Sequence, residues 1–190
     1  MTSEAATARG PVRRAGTPPR LAPGPATHPS QLVDQRFGFE PHNCFACGTL
    51  NRNGLQLRLH VDGGRCWTSL AIPRRFQGWD EIAHGGIVAT ILDEVMAWSL
   101  VDHDNWGLTA RMTVDYKRPV PLDEAILAEG WIVEARRRLI TTAGRITDVA
   151  SGSVLATAEA TYVAAPEARK QELKRRYGYR PLPGAAEAAR

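Results

Sequence analysis

The chain has 190 residues, 43% hydrophobic and 23% charged, which fits one globular domain with tails. The net charge of +4 comes from the ends: residues 1–35 hold four Arg against two acidic residues, and residues 166–190 hold seven Lys or Arg against three Glu. The segment between them is slightly acidic, so we expect no nucleic-acid partner. No apolar run approaches the ~18 residues of a membrane helix, so we also expect no membrane partner.

The two ends differ from the middle of the chain. Residues 1–30 hold six of the 13 prolines, so we predict a disordered tail over 1–35. We place one domain over 36–165, followed by a basic helix and tail over 166–190. Three cysteines make no disulfide framework, and no secretory signal is visible, so we expect a cytoplasmic protein.

Hydrophobic periodicity predicts the elements of the domain. Apolar and polar residues alternate over 55–61 and 65–72, which predicts a hairpin. Apolar residues at helical spacing predict a long helix over 83–102. Four more strands follow, one from Thr109 to the stop at Pro119 and the others over 125–134, 139–149 and 153–164. One helix among antiparallel strands predicts an α+β fold with the sheet curled around the helix.

The residues along one stripe of the predicted helix have small side chains, except for one aspartate. Its members recur at spacings of three and four: Gly86, Ala89, Thr90, Asp93 and Ala97. A structural interpretation is close packing against a second helix, with Asp93 bonded to a neighbour. A functional one is that Asp93 is a working carboxylate in a cleft. The two are compatible.

The predicted helix begins at His84, Gly85 and Gly86. The first N–H groups of a helix have no partner within it, and glycine lets a substrate carbonyl approach them, as an oxyanion hole requires. For His84, a capping or core role and a role beside substrate stay open.

The separation of Gly85 and Asp93 has a structural consequence. Eight residues at ~1.5 Å each place them about 12 Å apart along one helix, too far to serve one carbonyl. Two chains with antiparallel helices would bring Gly85 of one near Asp93 of the other. We therefore expect a homodimer, or a larger homo-oligomer, with composite sites.

The segments "FQGWDEIAHGGIVATILDEVMAW" and "TARMTVDYKRPVPL" closely resemble the hot-dog-fold acyl-CoA thioesterases, especially the PaaI-like group and the related human thioesterase superfamily members. The resemblance covers about residues 42–164. It implies a hot-dog fold, a curved antiparallel sheet around one central helix, which forms dimers and often tetramers. It also implies hydrolysis of an acyl-CoA thioester.

The resemblance assigns roles to four residues. Asp93 acts as general base or nucleophile, Gly85 donates its N–H to the thioester oxygen, and Thr109 positions the attacking water. His84 stands beside the substrate. One position departs from the pattern, since several PaaI-like enzymes carry Asn where this chain has Gly78, so the substrate inference is weakened more than the hydrolysis assignment.

Substrate binding is expected beside these residues. Gly86 belongs to the helix start, and Lys117 with Arg118, or Arg74 with Arg75, could hold the phosphates of CoA, although a solvated basic edge explains either pair equally well. A thioester is already activated, so we expect no cofactor and no catalytic metal. A non-catalytic acyl-CoA-binding module and an enoyl-thioester hydratase are the alternatives.

The segment "HNCFACG" carries His42, Cys44 and Cys47. The Cys-x-x-Cys spacing could be half of a zinc site, but no second pair follows at a suitable spacing, so Cys66 or a second copy of the chain would have to complete it. The same pattern before an Asn-x-x-Gly-Leu segment recurs in PaaI-like sequences, which favours a tight turn that leads into the first strand.

Overall fold

The computed structural model describes residues 37–181, so the predicted tail over 1–35 lies outside it. The elements are β1 Phe37–Gly38, β2 His60–Asp62, β3 Arg65–Ala71, β4 Gln77–Trp79, β5 Ile82–Ala83, α1 Gly85–Trp98, β6 Gly107–Tyr116, β7 Ala125–Arg136, β8 Leu139–Asp148, β9 Val154–Ala164, α2 Glu167–Arg176 and β10 Arg180–Pro181. Neither helix has the length and apolar character needed to cross a membrane.

Six strands form the main sheet in the order β2-β3-β7-β8-β9-β6, with every neighbouring pair antiparallel. Helix α1 packs across it, and the predicted α+β arrangement is confirmed. The buried side chains of α1 are Val88, Ile91, Leu92, Val95 and Met96. Each such side chain contributes about 1.5–3 kcal/mol when it is fully buried, so this face holds the helix on the sheet.

Two glycines let α1 lie close to the sheet. Gly130 of β7 and Gly144 of β8 are cross-strand partners beneath the helix. A Cβ on Gly130 would lie 2.5 Å from the carbonyl of Val95, and one on Gly144 would lie 3.0 Å from Met96. A larger residue at 130 would therefore push the helix off the sheet.

Helix α1 is shorter than the predicted 83–102. Ala83 belongs to β5, and His84 has an extended backbone whose ring caps the helix. At the other end the Ser99 hydroxyl donates to the Met96 carbonyl at 2.7 Å, and a 3-10 turn then leads to Asp104 in the left-handed region (φ 55°). The apolar pattern continues past Trp98 because the residues beyond it also pack in the core.

The first strand of the predicted hairpin is mostly absent, since only His60–Asp62 pairs with β3. Gln56 has φ 50°, which breaks an extended run. The N–H groups of Leu55 and Leu57 donate to carbonyls of Phe45 and Ala46, so this segment pairs with the Cys-x-x-Cys turn instead of a strand.

Residues after 165 contact the domain again. The ammonium groups of Lys170 and Lys174 on α2 bind the Asp104 carboxylate, and β10 pairs with β1. The domain boundary expected at 165 stays a prediction.

Candidate active site

Asp93 lies in the middle of α1, on the side that β6 and β9 approach. Its Oδ1 accepts hydrogen bonds from the Thr109 hydroxyl at 2.8 Å and from the Tyr162 hydroxyl at 2.9 Å. Tyr162 also donates to the Asp93 carbonyl at 3.0 Å. Among residues 37–181, no group donates to Oδ2, so one oxygen is held while the other is available to a proton.

Strand pairing explains why the two donors converge. Thr109 of β6 lies directly opposite Tyr162 of β9, and the register shifts between Thr109 and Arg111. Directly opposed residues project to the same face of a sheet, here toward α1. The bulge at Ala110 adds one residue to β6, and after it the side chains of β6 again alternate between the two faces of the sheet.

Tyr162 was not among the residues expected from the sequence. Its side chain is fully buried, and burial together with the negative Asp93 raises the pKa of its hydroxyl. The hydroxyl therefore stays a donor at neutral pH. A buried tyrosine in a strand usually finds a partner for its O–H, which was the available signal, but the identity of that partner depends on strand register.

The start of α1 carries the predicted His84-Gly85-Gly86 group. His84 Nδ1 accepts the Gly86 N–H at 3.0 Å, so His84 is the N-cap and the Gly86 N–H is occupied. The Gly85 N–H pairs with no acceptor among the described residues. It is therefore the donor that remains for a ligand.

A cleft of about 310 Å³ opens beside Gly85. Its lining residues are Ile82, Ala83, Gly85, Val88, Tyr116, Lys117, Arg118, Pro119 and Val120. The structure thus brings the expected oxyanion donor together with Lys117 and Arg118. Tyr116, which the sequence did not single out, donates its hydroxyl to the Gly85 carbonyl at 2.8 Å.

Backbone contacts hold the basic pair at this edge. The N–H groups of Lys117 and Arg118 both donate to the Leu155 carbonyl, at 2.8 and 3.0 Å. The Lys117 ammonium lies 3.3 Å from Asp115 in an exposed ion pair, which contributes little and is easily exchanged for a ligand. Both cations can therefore reach an anion at the cleft.

Arg74 and Arg75 lie elsewhere and already have partners. Arg74 binds both oxygens of Glu81, at 2.6 and 2.9 Å, and pairs with Asp123 at 2.9 Å. Arg75 donates to the Gly54 carbonyl at 3.0 Å. Their phosphate-binding role stays a prediction, and Arg74 would first have to leave two carboxylates.

Glu94 faces away from the Asp93 group, as its position on the helix predicts. Its Oε1 accepts from Trp98 Nε1 at 2.9 Å, and burial raises the pKa of its carboxyl to about 7. The thiols of Cys44 and Cys47 lie beside it, and the ligand atoms of the three side chains are all within 4.8 Å of one another. These are the described residues that could hold a metal.

Comparisons with known proteins identify the fold. Residues 81–161 match the model of the thioesterase superfamily. The acyl-coenzyme A thioesterase THEM4 of Rattus norvegicus is 30% identical over 84 residues, which are 43% of this chain and 36% of the rat protein. A solved thioesterase superfamily protein is 29% identical with a TM-score of 0.58, over 61% of this chain and 60% of that one.

A third comparison concerns the fold alone. The protein smu.793 of Streptococcus mutans, solved with acetyl CoA bound, has 16% identity and a TM-score of 0.55 over 57% of this chain and 88% of that one. The chain spans about a third of the length of the rat relative and three fifths of the first solved structure. The resemblance seen in the sequence is confirmed: this domain has the hot-dog fold of the solved thioesterase superfamily protein, and residues 81–161 match the thioesterase superfamily model.

Proposed function

We propose that the protein hydrolyses an acyl-CoA thioester to the free acid and the CoA thiol. The observation that carries the proposal is the Asp93 carboxylate, with Oδ1 held by two hydroxyls and Oδ2 available. Asp93 takes a proton from water, and the water oxygen bonds to the thioester carbon. The C–S bond then breaks, and the leaving sulfur takes the proton held by Asp93, so the free acid and the CoA thiol are released and Asp93 is again a carboxylate.

The Gly85 N–H stabilises the oxyanion that forms during this attack. It is the donor at the start of α1 that no described residue occupies, and the helix dipole there favours negative charge. The hydroxyl of Thr109 donates to Asp93, so its lone pairs can accept a hydrogen bond from the attacking water.

Each reaction centre draws on two copies of the chain. Gly85 and Asp93 are about 12 Å apart along α1, so the oxyanion donor comes from the second copy. Two features favour such a dimer: β6 is a ten-residue strand at the edge of the sheet, and Leu108 on it is 78% exposed. A long strand edge that no described strand pairs with, and that exposes a leucine, is a surface that a second copy can cover.

Lys117 and Arg118 bind phosphates of CoA at the cleft beside Gly85. The acetyl CoA in smu.793 and the name of the rat relative support CoA as the carrier. The carrier's negative charge and the two adjacent cations are complementary.

Thiol release from a panel of short, long and aromatic acyl-CoA esters tests the proposal. Wild type should turn over at least one ester, and Asp93→Asn should reduce kcat by about 10²–10⁴-fold. Asn keeps the size of the side chain and an oxygen that can accept both hydroxyls, so folding should be unchanged. Glu134→Gln, an exposed change on β7, is the control.

Two outcomes contradict the proposal. Binding of acyl-CoA with no thiol release would favour the non-catalytic module. Turnover that Asp93→Asn leaves unchanged would remove Asp93 as the base.

A further inference from the structure

The turn that carries Cys44 and Cys47 is held against helix α1. The Gly48 N–H donates to the Cys44 carbonyl at 3.0 Å, and Gly48 packs so closely on the Cys44 backbone that a Cβ would clash with it. The N–H of Cys44 donates to His42 Nδ1 at 3.3 Å. This compact turn directs both sulfurs toward Glu94.

The three side chains have the chemistry of metal ligands. Two thiols and one carboxylate oxygen lie within 4.8 Å of one another. Tetrahedral zinc binds thiolates at about 2.3 Å and carboxylates at about 2.0–2.2 Å, so ligand atoms around one ion lie roughly 3.5–4 Å apart. The 4.8 Å bound exceeds that spacing by only about 1 Å, so the three ligand atoms are already close to the arrangement that zinc needs.

The charges at this place suit a cation. In the described part of the chain no Lys or Arg pairs with Glu94, which accepts hydrogen bonds from the Trp98 indole and from the Cys47 thiol. When a metal ion replaces the thiol protons, the two thiolates and the carboxylate need a positive charge between them. A divalent ion supplies that charge, whereas a disulfide between the cysteines supplies none.

We propose that Cys44, Cys47 and Glu94 bind a zinc ion, with water as the fourth ligand. Paired thiolates favour zinc over the hard cations magnesium and calcium. The two thiols lose their protons to solvent as the ion binds. The Trp98 indole orients the Glu94 carboxylate, as outer hydrogen bonds commonly do for metal ligands.

The ion would join the 44–47 turn to α1 at the residue next to Asp93. It lies outside the reaction described above and takes no part in hydrolysis. Its role is to fix the segment before β2 against the helix. The site does not depend on the proposed function.

Elemental analysis and cobalt substitution of the full chain test this site. We expect about one zinc per chain after purification with a thiol reductant, and cobalt bound in its place should show a thiolate-to-metal charge-transfer band. Cys44→Ser and Cys47→Ser should lose the ion. Glu94→Gln should weaken zinc binding at least about tenfold.

Cys66→Ala is the matched control, because Cys66 is buried in β3 and is not one of the three grouped ligands, so its loss should leave the zinc content unchanged. Trp98→Phe keeps all three ligands and removes only the indole donor, so affinity should fall about 10–100-fold. Circular dichroism verifies that each variant folds. If the cysteine variants do not fold, the thiolate-to-metal band of cobalt-loaded wild type decides whether the cysteines bind the metal.

Three results would overturn the site. Reduced wild type that binds neither zinc nor cobalt excludes it. Zinc that persists in the Cys44→Ser/Cys47→Ser double variant places the ion elsewhere. A Cys44–Cys47 disulfide that re-forms in preference to zinc uptake assigns the pair to redox chemistry.

Discussion

Tyr162 lies directly opposite Thr109 in the β6–β9 ladder, and their two hydroxyls donate to the same oxygen of Asp93. This pairing aligns the carboxylate without occupying Oδ2. Both donors lie on the sheet and the acceptor lies on the helix, so the packing of α1 sets the geometry of the proposed base.

Tyr162→Phe should lower kcat about tenfold and leave KM unchanged. The variant keeps the ring in the core but removes one hydrogen bond to a charged group, a loss of roughly 1.5 kcal/mol. KM should not move, because Tyr162 acts through Asp93 and is buried away from solvent. Steady-state thiol release measures both constants.

Thr109 offers the matching pair of variants. Thr109→Ser keeps the hydroxyl and should retain most activity, whereas Thr109→Val should lose about as much as Tyr162→Phe. Equal activity of the Ser and Val variants would show that the hydroxyl is not used.

Gly85→Pro should reduce kcat by about 10²–10³-fold, because it removes the N–H assigned to the oxyanion. Proline is well accepted at the first position of a helix. The residue before a proline favours an extended backbone, and His84 already has one, with ψ 134°. Thiol release and thermal unfolding of the same samples separate catalysis from folding.

Gly85→Ala is the control that keeps the N–H. An added Cβ would lie 3.5 Å from the Tyr116 hydroxyl, an ordinary contact. If the Ala and Pro variants lose activity equally, activity depends on the absence of a side chain at Gly85 and not on its backbone N–H.

Lys117→Ala together with Arg118→Ala should raise KM for acyl-CoA about tenfold or more, because two charge-assisted contacts to phosphate are lost. The same variant should hydrolyse an acyl thioester of N-acetylcysteamine, which has no phosphates, as wild type does. Comparison of KM for the two substrates isolates the phosphate contribution. An equal rise in KM for both substrates would mean that Lys117 and Arg118 stabilise the end of the strand and do not bind phosphate.

Gly130→Ala should destabilise the fold by about 1–3 kcal/mol, because its Cβ would overlap the Val95 carbonyl beneath α1. Denaturant unfolding measures the change. If Gly130→Ala unfolds at the same denaturant concentration as wild type, α1 can move away from the sheet with little loss of stability.

Much of the sheet could be predicted from the sequence because β6 to β9 are long and alternate regularly. The end of α1 could not, since Leu100 continues the apolar pattern and is buried, although the helix stops at Trp98. The irregular segment before β2 was also missed, because Gln56 adopts a positive φ without being a glycine.

Some residues of the candidate site could be picked out from the sequence, and others could not. Asp93 and Gly85 break the local preferences of a helix, which made them visible in the sequence. The partnership of Tyr162 with Asp93 depends on strand register, and the approach of Glu94 to Cys44 and Cys47 depends on tertiary packing. Neither can be read from spacing along the chain.

We propose that each reaction centre takes Asp93 from one copy of the chain and Gly85 from another. Asp93→Asn and Gly85→Pro chains should each be nearly inactive alone. A hybrid dimer, co-expressed with two different tags and isolated through both, contains one centre with both defects and one intact centre. We expect this hybrid to regain about half of the wild-type activity, because one of two symmetric centres is restored. A hybrid as inactive as its two parents would contradict it.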